Sequence, residues 1–153
     1  MIKPIIIVAG EPNSIFLEIF FKSIKFKNYK SPIIIVASKK LVSSQMKKLG
    51  FKFDINLITD DFKDFKILNN KKINIINIEY AFKKNFEPIS NKSNNYIEKC
   101  FDTALLYLKK NKLTKFINGP ISKKYFLEIG PFINLENLFW IKIFNAILKV
   151  FSI

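Results

Sequence analysis

The 153-residue sequence predicts an α/β domain with a mostly parallel sheet and helices on both faces. Two short runs rich in β-branched residues, Ile5–Val8 and Ile33–Ala37, are apolar at every position, which is typical of strands buried on both faces of a parallel sheet. A turn and then a segment with helical spacing of apolar residues follow each run. This strand-helix-strand-helix order with short connections specifies a parallel α/β architecture.

The first two predicted helices each start at a serine. Ser14 is the expected N-cap of the first helix, and Ser38 is that of the second, which Gly50 ends. The apolar residues expected to face inward from the first helix are Ile15, Ile19, Phe20 and Ile24. Those expected to face inward from the second are Leu41, Val42, Met46 and Leu49.

The second half of the chain contains the clearest helix pattern. Strands are predicted at residues 53–58 and 73–78, with a polar loop over residues 59–72 between them. The long helix that follows has one apolar face, formed by Ile97, Cys100, Phe101, Ala104, Leu105 and Leu108. Lysines 109, 110 and 112 close this helix, where its dipole favours cations. A last strand at residues 115–118 stops at Gly119 and Pro120.

The net charge of +14 does not by itself indicate a nucleic-acid-binding protein. All 26 basic residues are lysines, and Ile, Lys, Phe and Asn together supply 86 of the 153 residues. These four residue types have codons rich in adenine and thymine, so the base composition of the gene accounts for the excess of lysine. Nucleic-acid-binding proteins rely on arginine for bidentate contacts, and the lysine pairs here are spread along the chain. We therefore expect no nucleic-acid partner.

The absence of histidine excludes several kinds of catalytic site. It removes the usual metal ligand, the usual general base and the Ser-His and Cys-His nucleophiles. Cys100, the single cysteine, permits neither an intramolecular disulfide nor a zinc-cysteine cluster, and its helix face predicts a core residue. Residues 1–4 lack the apolar region of a signal peptide, and no segment is long enough to span a membrane. These features predict a cytoplasmic protein.

Two loops carry the residues that could bind a ligand or take part in a reaction. The segment Gly10–Ser14 follows the first strand, where α/β proteins place ligand-binding loops, although it lacks the glycines of a dinucleotide fingerprint and the lysine of a phosphate loop. On this pattern alone, an ordinary strand-to-helix turn is the favoured interpretation. The segment Gly119–Lys123 follows the last strand and places Lys123 at the carboxyl edge of the sheet. There Lys123 could meet a phosphate or carboxylate, or be one more surface lysine.

Together, these loops resemble two motifs of the 4-hydroxythreonine-4-phosphate dehydrogenase family. The first loop is similar to the family's Gly-Asp/Glu-Pro-Ala-Gly-Ile-Gly-Pro-Glu, and the second to its Thr-Gly-Pro-Val-His-Lys. Both motifs occur in the family's order and context, over residues 3 to about 126. The positions that match the two motifs are Gly10, Glu11, Pro12, Glu18, Gly119, Pro120 and Lys123.

The resemblance implies a fold like the first half of an isocitrate or isopropylmalate dehydrogenase. It also implies an NAD-dependent oxidoreductase of pyridoxal 5'-phosphate (vitamin B6) biosynthesis, acting on a phosphorylated hydroxy-amino acid with a divalent metal, as a homodimer. The sequence departs from the family at Ser14, Phe16 and Leu17, which replace Gly, Gly and Pro, and at Ser122, which replaces His. The family's Gly-His-Thr-Glu segment and its three metal-binding histidines are missing from the sequence.

These departures predict an incomplete dehydrogenase that has no catalytic residues or metal ligands of its own and binds no cofactor productively. The alternatives are a non-catalytic binding or scaffold domain and, less favoured, a lysine-rich nucleic-acid-binding protein. Residues 1–126 are expected to form the incomplete α/β domain, and residues 127–153 a tail that the family does not match. Of the 14 residues from Leu138 to Phe151, 11 are apolar, on every face of a hypothetical helix. The tail could be a buried helix or a frameshifted product, and we expect it to cover exposed apolar surface or to drive self-association.

Overall fold

The computed structural model describes residues 2–59, 61–122 and 124–125, in which five strands form one sheet with parallel pairing throughout. The strands are β1 (Ile5–Val8), β2 (Ile33–Ala37), β3 (Asp54–Leu57), β4 (Lys72–Asn77) and β5 (Phe116–Asn118). Their spatial order is β3-β4-β2-β1-β5. The predicted parallel sheet is therefore confirmed, with the first two apolar runs as neighbouring strands in which Ile5 lies beside Ile33.

Three helices cover the two faces of the sheet. They are α1 (Phe16–Phe26), α2 (Lys39–Lys48) and α3 (Asn94–Asn111). Side chains of α1 and α2 pack with Ile7 and Ile35 in one cluster, and side chains of α3 pack with Ile6 and Val8 in another, so the helices lie on opposite faces. The connection from β1 to β2 runs towards one edge of the sheet, and the connection from β4 to β5 runs towards the other edge. Because connections between parallel strands are right-handed, the helices in these two connections must lie on opposite faces of the sheet.

The inward face of α1 was predicted only in part. Phe20 is buried and Ile24 packs against the same cluster, as predicted. Ile15 and Ile19, however, are 66% and 54% exposed, and α1 buries Leu17 and Phe21 in their place. The reason is aromatic packing: the ring centroid of Phe21 lies 5.5 Å from that of Phe51, and burying these rings removes more apolar area from water than burying isoleucines would. The predicted N-cap was also displaced by one residue, to Ile15, although the Ser14 hydroxyl still accepts a hydrogen bond from the Phe16 N–H at 3.2 Å.

The other two helices match their predictions closely. The Ser38 hydroxyl accepts a hydrogen bond from the Leu41 N–H at 3.3 Å and caps α2, which ends just before Gly50 with its left-handed φ of 74°. The predicted face of α3 is buried except for the half-buried Leu105, and Cys100 is confirmed as a core residue, with burial raising the pKa of its thiol to about 12. Within the predicted loop 59–72, a short 3-10 turn forms over Phe65–Ile67.

None of the helices in the described ranges is long and apolar enough to span a membrane. The predicted tail, residues 127–153, lies outside the described residues, so its predicted packing stays a prediction.

Phe21 is the side chain whose loss should weaken the sheet-helix core most clearly. It is fully buried and its ring approaches those of Phe20, Phe51 and Phe53. We expect Phe21→Ala to lower the free energy of unfolding by about 3–5 kcal/mol in urea denaturation. The control is Phe26→Ala on the same helix, where the side chain is 74% exposed and the change should stay within about 0.5 kcal/mol. Equal losses in the two variants would contradict this packing.

Candidate functional site

The two loops singled out in the sequence lie against each other at the carboxyl edge of the sheet. The Gly119 N–H donates a hydrogen bond to the Val8 carbonyl at 2.7 Å, and the Glu11 N–H donates to the Pro120 carbonyl at 2.8 Å. A Cβ atom on Gly119 would lie 2.1 Å from the Ala9 carbonyl oxygen, and one on Gly10 would lie 2.4 Å from that of Pro120. Only glycine permits this approach, so segments more than a hundred residues apart form one unit.

Glu11 is buried at the base of this unit, with 4% of its surface exposed. One carboxylate oxygen, Oε2, lies 2.9 Å from the Ser93 hydroxyl, and the other accepts a hydrogen bond from the Asn13 N–H at 3.2 Å. Burial raises the pKa of Glu11 above its ordinary value, while these two hydrogen bonds partly oppose the rise. Because Ser93 immediately precedes α3, the carboxylate lies close to the helix N-terminus, whose dipole favours a negative charge.

The segment after β4 completes the wall around Glu11. Its Glu87 N–H donates a hydrogen bond to the Asn13 side-chain oxygen at 3.1 Å. The ring of Tyr80 lies 4.7 Å from that of Tyr96, measured between centroids. Burial, together with the nearby charges of Glu11 and Glu87, raises the pKa of Tyr80, against a hydrogen bond with Asn13. The loops after β1, β4 and β5 therefore meet in one polar cluster.

Gln45 of α2 also belongs to this cluster, and the sequence analysis did not identify it. Its side chain is fully buried, and its Nε2 donates a hydrogen bond to the Pro12 carbonyl at 2.8 Å. A signal was present, because Gln45 lies three and four residues after Val42 and Leu41, on the inward face of the same helix. A polar residue at such a position must find a partner inside the fold.

The structure brings five of the seven motif positions together. These are Gly10, Glu11, Pro12, Gly119 and Pro120. Glu18 lies instead on α1, where its carboxylate forms an ion pair with Lys22 at 2.6 Å. Lys123 lies outside the described residues, so its predicted role in binding a phosphate or carboxylate stays a prediction.

The available side chains do not fit the divalent metal that the family resemblance implies. Within residues 2–59, 61–122 and 124–125, no group of three or more His, Cys, Asp or Glu side chains is placed to hold a metal ion. The full sequence contains no histidine, and the thiol of Cys100 is enclosed in the core. These residues therefore offer no ligand set for a divalent metal.

The fold and the loop cluster define a class of protein: a doubly wound α/β domain with a preformed polar cluster at the carboxyl ends of its parallel strands. Domains of this class bind their ligands at that edge. Solved structures then show which proteins share the fold, although no family model matches the sequence and no curated protein matches it.

Three similar structures are of 4-hydroxythreonine-4-phosphate dehydrogenases. The structure from Klebsiella pneumoniae has a TM-score of 0.65 and 14% identity, over 82% of this chain and 38% of that one. The structure from Burkholderia phymatum has a TM-score of 0.71 and 12% identity, over 100% of this chain and 44% of that one. A third, assigned to the same enzyme in Salmonella typhimurium, has a TM-score of 0.67 and 13% identity, over 97% of this chain and 44% of that one.

At these identities the likeness establishes the fold. The predicted α/β fold is confirmed as one that these dehydrogenases share, and the chain spans less than half the length of the dehydrogenases that it matches.

The close approach of the two loops should make Gly119 intolerant of any side chain. We expect Gly119→Ala to lower the free energy of unfolding by about 3 kcal/mol, at the upper end for an overpacked site, because its methyl group would clash with the Ala9 carbonyl. The control is Gly50→Ala, where φ is 74° and no atom lies within 4 Å of the new methyl group. That variant should lose only about 1–2 kcal/mol through backbone strain. A smaller loss at Gly119 than at Gly50 would contradict the proposed contact.

The buried carboxylate of Glu11 should make stability depend on pH. Its pKa is raised in the folded chain, so the folded state holds the proton more tightly than the unfolded state does. The free energy of unfolding should therefore fall as the pH rises from about 4.5 through the raised pKa, by about 1.4 kcal/mol for each pH unit in between.

Subtracting the pH profile of a Glu11→Gln variant from that of the wild type separates the contribution of Glu11 from those of the other carboxylates. The variant should gain stability relative to the wild type across that pH window and keep a constant difference below it. Parallel pH profiles in urea denaturation would show that Glu11 titrates with an ordinary pKa.

Proposed function

We propose that this chain is the amino-terminal half of an NAD-dependent 4-hydroxythreonine-4-phosphate dehydrogenase of vitamin B6 biosynthesis, and that it does not catalyse the reaction alone. The observation that supports this most directly is the contact between Gly10–Pro12 and Gly119–Pro120. Two motifs that resemble the same enzyme family meet at one sheet edge, in a fold that such dehydrogenases share.

The proposed contribution of this half is to bind and orient a ligand. The two motif loops meet at the edge where this class of fold binds substrates, and the buried carboxylate of Glu11 holds them in place from inside. We place Lys123 at the phosphate or carboxylate of a phosphorylated hydroxy-amino acid, as the family motif implies. NAD, when bound, supplies the hydride acceptor, and a homodimer is the assembly that the resemblance implies.

Catalysis also needs a group that takes the proton of the substrate hydroxyl as the hydride leaves. Histidine or a metal-bound oxygen usually serves, but the sequence has no histidine and the described side chains form no metal-ligand cluster. Glu11 is an unsuitable replacement, because its side chain is buried and directed towards Ser93 and Asn13 inside the fold. We propose that the proton acceptor is supplied from outside the loop cluster.

The purified chain should therefore produce no NADH from 4-hydroxythreonine 4-phosphate, with or without a divalent metal. Absorbance at the NADH band measures this, and the Klebsiella pneumoniae dehydrogenase under the same conditions is the positive control. Metal-dependent NADH production by the chain alone would overturn the proposal of an incomplete enzyme.

Titration calorimetry with the same substrate and with NAD distinguishes the alternatives. Binding of either compound without turnover supports a retained half-site. If the chain binds neither, a scaffold domain is favoured, and tight, salt-dependent binding of duplex DNA would indicate a nucleic-acid-binding protein instead.

A further inference from the structure

We infer that Gln45 is a positioning residue for the site, setting the geometry of the loop Gly10–Ser14 through its hydrogen bond to the Pro12 carbonyl. The role in ligand binding rests on the proposed function, whereas the role in holding the loop rests on the contacts themselves.

The Gln45 side chain reaches the loop from the face of the sheet that α1 and α2 cover. Its Nε2 lies 2.8 Å from the Pro12 carbonyl oxygen, and the side chain has no exposed surface. Proline has no N–H, so its carbonyl is the only backbone group through which this residue can be held. The bond fixes the peptide between Pro12 and Asn13, and with it the N–H that reaches Glu11.

Four of the five loop residues, Gly10 to Asn13, are held by different elements of the fold. Gly10 abuts the segment after β5, Glu11 meets Ser93 before α3, and Asn13 accepts a hydrogen bond from Glu87 after β4. Gln45 provides the corresponding contact from α2. Its neighbour Ser44 lies 2.8 Å from the Asn85 side-chain nitrogen, so α2 holds the segment after β4 as well. The helix thus sets the position of two of the three loops.

The polar atoms of the Gln45 side chain serve the loop rather than the core around them. Its second polar atom, Oε1, is buried and has no hydrogen-bond partner among the described residues. An apolar side chain of the same length, such as methionine, would remove that unpaired acceptor, but it would leave the carbonyl of the buried Pro12 without its donor. Among the described residues, the hydrogen bond of the Gln45 amide is made to the loop, and this contact is what a substitution by methionine removes.

The test compares Gln45→Met with the wild type by amide hydrogen exchange, after circular dichroism confirms that the variant folds. The Glu11, Asn13 and Ser14 N–H groups all donate hydrogen bonds within the loop cluster and report its geometry. We expect their exchange to become about tenfold faster in the variant, as expected for the loss of one buried hydrogen bond, while amides of β1 and β2 change little. Gln45→Asn, whose amide is too short to reach Pro12, should behave in the same way.

The matched control is Val42→Ala, which weakens the same helix face without touching the loop. It should lower the overall stability more than Gln45→Met does, yet accelerate loop exchange no more than exchange elsewhere. If Gln45→Met and Val42→Ala give the same pattern of exchange, Gln45 is an ordinary core residue and the inference is wrong.

A binding measurement separates this inference from the proposed function. If the wild type binds 4-hydroxythreonine 4-phosphate, Gln45→Met should weaken that binding about tenfold while Val42→Ala leaves it unchanged. Equal affinities of wild type and Gln45→Met would overturn the ligand-binding role. A wild-type chain that does not bind the compound counts against the proposed function, and the exchange pattern still decides whether Gln45 positions the loop.

Discussion

The structure depends on a backbone approach that leaves no room for a side chain. Where β1 and β5 end, the peptide at Gly119 lies against the Ala9 carbonyl, and the peptide at Gly10 lies against Pro120. This contact follows the last paired residues of β1 and β5 at the carboxyl edge of the sheet. It directs the Glu11 side chain into the protein. Once that carboxylate is buried, it requires donors, and Ser93 and Asn13 supply them. The polar cluster follows from the geometry of two glycines.

The sheet explains how residues distant in sequence come to share this edge. Its central strands are apolar on both faces, so helices must cover both, and the reversal in strand order divides α1 and α2 from α3. Parallel strands all end at the same edge, which makes the loops after β1, β4 and β5 neighbours. The isoleucine-rich composition suits this arrangement, because a strand buried on two faces requires β-branched residues and no alternation.

The sequence was a good guide where one kind of signal dominated. The two apolar runs predicted the buried strands β1 and β2. The spacing of apolar residues predicted the buried face of α3. It was a poor guide for α1, where isoleucine and phenylalanine occupy several faces and periodicity cannot rank them; contacts with Phe51 and Phe53, distant in sequence, decided the outcome. The motif loops could be placed at one edge, but Gln45 could not, since its partner is a backbone carbonyl that becomes available only when the loop folds.

The same contacts show why geometry and catalysis can separate in this fold. Glu11, Asn13 and Gln45 are all held by hydrogen bonds to partners within the described residues. The sequence contains no histidine, which is the usual general base and the usual metal ligand. A fold fixes where a ligand can bind, whereas chemistry requires particular groups at that place. In this chain, local hydrogen bonds and two glycines fix the shape of the loop cluster, and that shape does not depend on any catalytic group.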